Sequence, residues 1–143
     1  NPIMTIGRIA GSAFLLLVLT VAGISVAADT LTGRVVNVAD GDTLTVLMEG
    51  NRPVRVRLAG IDAPEHDQPF GQRSRQSLAE LTLDRPAAVM VWKTDDYGRT
   101  VGTVTVGGVD VEAEQVRRGL AWVYRHYSDD ARLLALEAEA KAA

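Results

Sequence analysis

From Leu31 onward the apolar residues fall first at alternate positions and later at helical spacing, which divides the chain into strand-forming and helix-forming stretches. Leu31 to Val38 is rich in β-branched residues and stops at Asp40-Gly41-Asp42. Leu44, Val46 and Met48 then alternate with Thr43, Thr45 and Leu47, so two strands joined by a tight turn are predicted. After a second turn at Glu49-Gly50-Asn51, a third strand places Val54, Val56 and Leu58 on one face and Arg55 and Arg57 on the other. Ile61 to Phe70 carries Pro64 and Pro69, which remove backbone donors and restrict their predecessors, so it reads as a shaped loop. Gly71 to about Leu83 is an amphipathic helix with Leu78, Ala79 and Leu81 as its apolar positions. Ala87 to Trp92 and Thr100 to Val106 are two further strands around a turn at Asp95 to Arg99, with Trp92 read as core or barrel wall. Glu112 to Arg118 is a short helix closed by Gly119. A last helix starts at Asp129 under a Ser128 cap, with Leu133, Leu136 and Ala140 as its stripe and its charges as a solvated face. Five strands, one helix after the third and two at the end are the elements of an α+β chain built on a five-stranded Greek-key barrel of the oligonucleotide/oligosaccharide-binding (OB) type, with three helices.

The N-terminal stretch has a different character. Ile9 to Ala28 is an uncharged run of 20 residues after Arg8, ending in the small residues Val26-Ala27-Ala28 before Asp29. This predicts a secretory signal cleaved after Ala28, although 20 helical residues also rise about 30 Å and an uncleaved membrane anchor fits the same letters. Either way residues 29–143 form the expected domain, delivered to the periplasm, the cell envelope or the exterior.

Composition narrows the chemistry. The 143 residues hold 15 Lys and Arg against 18 Asp and Glu, a formal charge of −3, and no cysteine. Removing residues 1–28 takes away Arg8 and no acid, so the remainder is more acidic still. A broad basic footprint for nucleic acid is excluded, as are disulfides, thiolate metal sites and a cysteine nucleophile. Any phosphate-handling surface must be local, built from chosen arginines or a metal.

Two acidic segments stand out. Asp40-Gly41-Asp42-Thr43 alone is an ordinary hairpin turn. Asp62-Ala63-Pro64-Glu65 is less ordinary, with two carboxylates on a proline-stiffened loop directly after the strand that presents Arg57. If the barrel joins the turn to the end of the third strand, Asp42 and Asp62 supply two hard oxygen ligands, and the Ala63 carbonyl and waters would complete a calcium-like shell. Glu65 then stands one water away, and Arg57 and Arg99 have the planar donors that suit phosphate. His66 and Asp67 are read as polar loop residues.

Asp40-Gly41-Asp42-Thr43, Arg57-Leu58-Ala59-Gly60-Ile61-Asp62-Ala63-Pro64-Glu65 and Asp96-Tyr97-Gly98-Arg99 resemble, in order and spacing, the three signature segments of the staphylococcal nuclease (thermonuclease) family. Val116-Arg117-Arg118-Gly119-Leu120-Ala121 is similar to the ending of that family's second helix, so the resemblance spans Leu31 to the C-terminus. It implies an OB-type barrel with three helices and calcium-dependent hydrolysis of DNA and RNA, with the 5′-oxygen leaving and 3′-phosphate ends produced. By position, Asp42 and Asp62 become carboxylate ligands of Ca2+ and Ala63 a carbonyl ligand, where the family commonly has threonine. Glu65 takes the general-base position and Arg57 and Arg99 the phosphate clamps. Tyr97 matches a substrate-contacting tyrosine, and Tyr124 is chosen over Tyr127 for a second one. Asp96 departs from the pattern, since the best-known member carries basic residues there. The family's final helix continues past Ala143, so the resemblance implies a shortened C-terminus. Trp122 is read as packing below the site.

The reading is a monomeric, exported nuclease. Two alternatives use the same fold: a non-catalytic nucleic-acid-binding barrel and an extracytoplasmic calcium-binding structural module. The first leaves unexplained why ligand, base and clamp positions are all filled; the second leaves the two arginines without work.

Overall fold

The computed structural model describes Gly7 and residues 29–124 and 130–143. The export segment and Tyr127 lie outside the described residues, as does Ser128. Among the described residues, no helix is long and apolar enough to cross a membrane.

The elements in chain order are β1 (Thr30–Asp40), β2 (Thr43–Met48), β3 (Arg52–Leu58), β4 (Ile61–Asp62), α1 (Gly71–Thr82), β5 (Pro86–Thr94), β6 (Thr100–Val106), β7 (Val109–Asp110), α2 (Val111–Arg117), β8 (Trp122–Val123) and α3 (Ala131–Ala142). Five long strands close on themselves. β3, β2, β1, β5 and β6 are antiparallel neighbours in that order, and β3 also pairs in parallel with β6 through Val56–Thr100, Arg57–Val101 and Leu58–Gly102. The expected α+β barrel with three helices is therefore present, and closure leaves its long strands without an open edge.

Alternation puts Leu44 and Val46 of β2, Val56 and Leu58 of β3, Val89 of β5, and Val104 and Val106 of β6 in one core. In β1 the buried residues are Val35 and Val38, which have opposite parity. Register shifts between Val35 and Asn37 and between Val38 and Asp40 re-phase the strand so that both can face inward. Asp40 pairs with Thr43, making Gly41-Asp42 the predicted two-residue turn. At the next turn Gly50 and Asn51 take positive φ, 74° and 54°, where glycine and asparagine cost least.

The helices differ from the periodicity in instructive ways. On α1 the fully covered positions are Gly71, Ser74, Ser77, Leu78 and Thr82, while the expected Ala79 and Leu81 are only half-buried. Hydroxyls are tolerated there because each donates: Ser74 Oγ to Leu120 O at 2.6 Å, Ser77 Oγ to Gln115 Oε1 at 2.6 Å, Thr82 Oγ1 to Leu78 O at 2.7 Å. α3 starts at Ala131, two residues later than expected, under Asp130, whose side chain accepts from Arg132 N. Its face is not wholly solvated: Glu137 is buried and accepts from Val123 N at 2.6 Å and Lys141 Nζ at 3.2 Å. Trp92 is 56% exposed, so the core reading of that residue is corrected.

Glu112 on α2 is also buried, its two carboxyl oxygens 2.9 and 3.2 Å from Val104 N on β6. Burial pushes its carboxyl well above the usual value of 4.5, against the lowering effect of that donor. Between 4.5 and the folded value the native state holds a proton that the unfolded chain has released, so this group's stabilisation is complete below about pH 4.5 and is lost as pH rises through the folded value. Glu112→Gln keeps an acceptor for Val104 and removes the titration. Urea midpoints measured from pH 4 to 8 are expected to decline less steeply with pH in the variant, which at neutral pH should be at least as stable as the parent.

Candidate active site

The strand pairings place two acids around one arginine. Arg57 lies opposite Thr43 in the β2–β3 ladder, next to the turn that carries Asp42. β3 then runs through a tight corner at Gly60 (φ 76°) into β4, which brings Asp62 back beside the same guanidinium. Arg57 Nη1 donates to Leu58 O at 2.9 Å and Ile61 O at 2.7 Å, which locks the side chain across the corner. Nη2 is 3.2 Å from Asp62 Oδ1 and 3.4 Å from Asp42 Oδ2. Those two carboxylate oxygens also share a second donor, Ala63 N, at 3.0 Å each. Asp42 and Asp62 therefore converge, and Ala63 contacts them through its backbone N–H.

Asp42 is 6% exposed, with Oδ1 accepting from Thr43 Oγ1 at 2.9 Å. Burial pushes its carboxyl up to about 8; hydrogen bonding to Asp40 adds to this, while Arg57 and the Thr43 hydroxyl pull it down. Arg57 alone leaves this carboxylate short of positive charge. Two converging hard-oxygen groups in such surroundings are donors that could hold a hard cation. Among the described residues no group of three or more Asp, Glu, His or Cys is arranged to hold an ion together, so a bound ion would draw its remaining ligands from backbone oxygen and water.

A cleft of about 630 Å³ opens from this corner, lined by Arg57, Asp62, Trp92, Tyr97, Arg99 and Tyr124 among others. Arg99 is fixed by the β5–β6 turn: its Nε donates to Asp95 Oδ2 at 2.6 Å, while Asp95 Oδ1 accepts Arg99 N at 2.8 Å and Tyr97 N at 3.0 Å. Desolvation raises the Asp95 carboxyl, but these donors and the charge of Arg99 outweigh it and hold it below the usual range. The guanidinium lies 5.4 Å from the centroid of the Tyr97 ring, so one turn presents a cation and an aromatic face together. Tyr124 enters through the backbone, its N–H donating to Gly60 O at 2.9 Å.

Glu65 is separate from the cleft lining. It is exposed on the loop after Asp62, its N–H on Gln68 Oε1 at 2.8 Å and its carbonyl accepting Gln68 N at 2.9 Å. Gly71 allows this loop to fold back on α1, since a Cβ there would lie 1.9 Å from Glu65 O. His66 and Asp67 are exposed loop residues, as read.

Three residues that hold the site were missed. Gln115, fully buried, donates from Nε2 to Gly41 O at 3.0 Å and Ser74 O at 3.1 Å while accepting from Ser77, so it pins the Asp42 turn to α1 and α2. Asp95 orients Arg99. Glu137 braces β8, whose Val123 and Trp122 pair with Ile61 and Asp62, so Trp122 flanks the strand that carries Asp62 while staying 43% exposed. A signal existed for the first: Val111, Glu112, Gln115 and Val116 share one helical phase, so its polar members are buried.

Residues 55–143 match the family model described as "Staphylococcal nuclease homologue". A Haemophilus influenzae protein described as "Uncharacterized endonuclease" is 41% identical over 111 residues, covering 78% of this chain and 62% of that protein. "Protein ParB" of Escherichia coli is 45% identical over 122 residues, covering 78% of this chain and 68% of its own length. "Micrococcal nuclease" of Shigella flexneri is 43% identical over 120 residues, with coverage of 76% and 68%.

Gln115→Ala strips partners from Gly41 O, Ser74 O and the Ser77 hydroxyl in one change. A loss of about 2–3 kcal/mol in unfolding free energy is expected by urea titration. Gln115→Glu, which keeps the shape and exchanges an amide donor for an acceptor, is expected to lose a comparable amount at neutral pH. Parent-like stability in both variants would contradict the pinning role.

Proposed function

The chain belongs to the staphylococcal nuclease family, and from that premise we propose that it is a Ca2+-dependent nuclease acting on DNA and RNA. The observation that carries this reading is the convergence of Asp42 and Asp62 on Arg57, at the end of a cleft that also holds Arg99 and Tyr97. Asp42 and Asp62, with the Ala63 carbonyl, would hold the cation, which when bound supplies positive charge to a phosphate oxygen and helps to order the attacking water.

The remaining work falls to the chain's own groups. Arg57 arrives already oriented, because Nη1 is held by two backbone carbonyls and only small reorganisation is needed to turn Nη2 from carboxylate to phosphate. Arg99, held through Nε by Asp95, keeps its terminal nitrogens for the phosphate oxygens on which charge grows. Glu65 takes the proton as water oxygen bonds to phosphorus. The bond from phosphorus to the 5′-oxygen breaks, that oxygen is protonated from solvent, and the 3′-phosphate remains with the preceding nucleotide. Tyr97 and Tyr124 contact the bound nucleotide. Asp96, another cleft-lining carboxylate, opposes polyanions and confines phosphate to the arginine side. Residues 29–143 act as a monomeric nuclease domain, and the apolar run 9–28 exports it, by cleavage or as an anchor.

Plasmid DNA and RNA digestion with calcium, magnesium or chelator tests cofactor and class together. Cleavage is expected with calcium and not with chelator. Arg57→Ala and Glu65→Ala are each expected to lose about 10²–10⁴-fold in rate, with circular dichroism unchanged for the exposed Glu65. Cleavage that survives chelation or Glu65→Ala would overturn the mechanism. Binding without cleavage would leave a non-catalytic nucleic-acid-binding barrel instead.

A further inference from the structure

Trp92 is one indole among two in the chain, and it stands 56% exposed on the wall of the cleft. A single exposed aromatic is ordinary on a protein surface. Its backbone is not ordinary. On β5, Val91 pairs with Gly102 and Lys93 pairs with Val101, so two steps along β5 match one along β6 and Trp92 is the extra residue of a bulge. A bulge bends its strand and re-aims the side chains at that point. Met90, two residues earlier, is exposed and outside the cleft, whereas Trp92 and the cationic Lys93 line it. Gly102 makes the local approach of the strands feasible, since a Cβ there would lie 2.6 Å from Met90 O.

Arg99 and Tyr97 of the following turn line the same cleft, so a chain whose phosphate rests against Arg57 and Arg99 lies in the cleft that the indole walls. The overall acidity of the protein offers such a chain little general attraction, which raises the value of a contact indifferent to charge. Stacking meets that need, because every nucleobase has a π-face and an exposed indole accepts any of them.

We propose that Trp92 is a stacking platform for a nucleobase adjoining the scissile phosphate, a substrate-binding residue that favours unstacked, single-stranded nucleic acid. The inference rests on the nuclease reading of the cleft. It contributes to substrate affinity and takes no part in proton or phosphoryl transfer.

The test uses the full 143-residue chain with calcium and a single-stranded oligonucleotide having one cleavable linkage, the base being removed in turn from the nucleotide on either side. Trp92→Ala is expected to raise KM roughly tenfold with kcat within about twofold, and Trp92→Phe to stay near the parent. On one side of the linkage the abasic substrate should cost the parent a similar factor and Trp92→Ala nothing further. Equal KM values for parent and Trp92→Ala, or an abasic penalty of the same size in both proteins on both sides, would overturn the stacking role alone. Failure of the parent to cleave the intact oligonucleotide would overturn the nuclease reading and this role with it.

Discussion

The site depends on a turn lying against a helix with no space to spare. Gly41 sits so close to α1 that a Cβ would fall 1.7 Å from Ser74 Oγ, and the amide of Gln115 clamps the two together by donating to Gly41 O and Ser74 O. From that contact follows the burial of Asp42, the next residue, and the position of its carboxylate against Ala63 N. β2 begins one residue later and carries Arg57 into register on β3. A buried side-chain amide satisfied at both ends is stiff, because any displacement strands polar groups away from water. The first hairpin turn, α1, α2 and the acidic corner are thereby joined.

Around that corner the electrostatics oppose the composition of the whole. The chain is net negative, yet its cleft concentrates two guanidinium groups, Arg57 held by carboxylates and backbone oxygens and Arg99 by the Asp95 carboxylate. Acids hold the cations in place. Asp62 and Asp42 flank Arg57, Asp95 fixes Arg99, and Asp42 is raised to about 8 because its burial exceeds what Arg57 compensates.

Much of this was legible in the linear pattern. Alternation located the five long strands, Asp-Gly located the first hairpin, and the two prolines marked the loop after Asp62 as irregular. The expected site residues Arg57, Asp62, Tyr97, Arg99 and Tyr124 do meet at one cleft, and Asp42 and Ala63 adjoin it through Asp62 and Arg57. What was misread has causes outside the local pattern, a bulge in one case and distant hydrogen-bond partners in the others. Trp92 was assigned to the core or barrel wall because alternation assumes an unbroken ladder, and a bulge shifts phase without changing composition. Glu137 was assigned to solvent because a charged residue in a mixed-charge helix looks ordinary until Val123 N is found above it. Ser74, Ser77 and Gln115 were passed over because polar residues on a buried face are disfavoured until their partners are known.

By itself the sequence determined which segments become the five long strands and the three helices, and which residues have the chemistry to bind a cation and a phosphate; the two-residue strands β4, β7 and β8 were not read from it. Both are local properties, set by side-chain period and functional group. Tertiary structure alone decided that Asp42 and Asp62, twenty residues apart, share one guanidinium, that Glu65 stands on an adjoining loop outside the cleft lining, and that an amide on α2 controls the turn from which the site is built. Those relations depend on strand register, bulges and buried hydrogen bonds between distant segments, which side-chain periodicity does not encode.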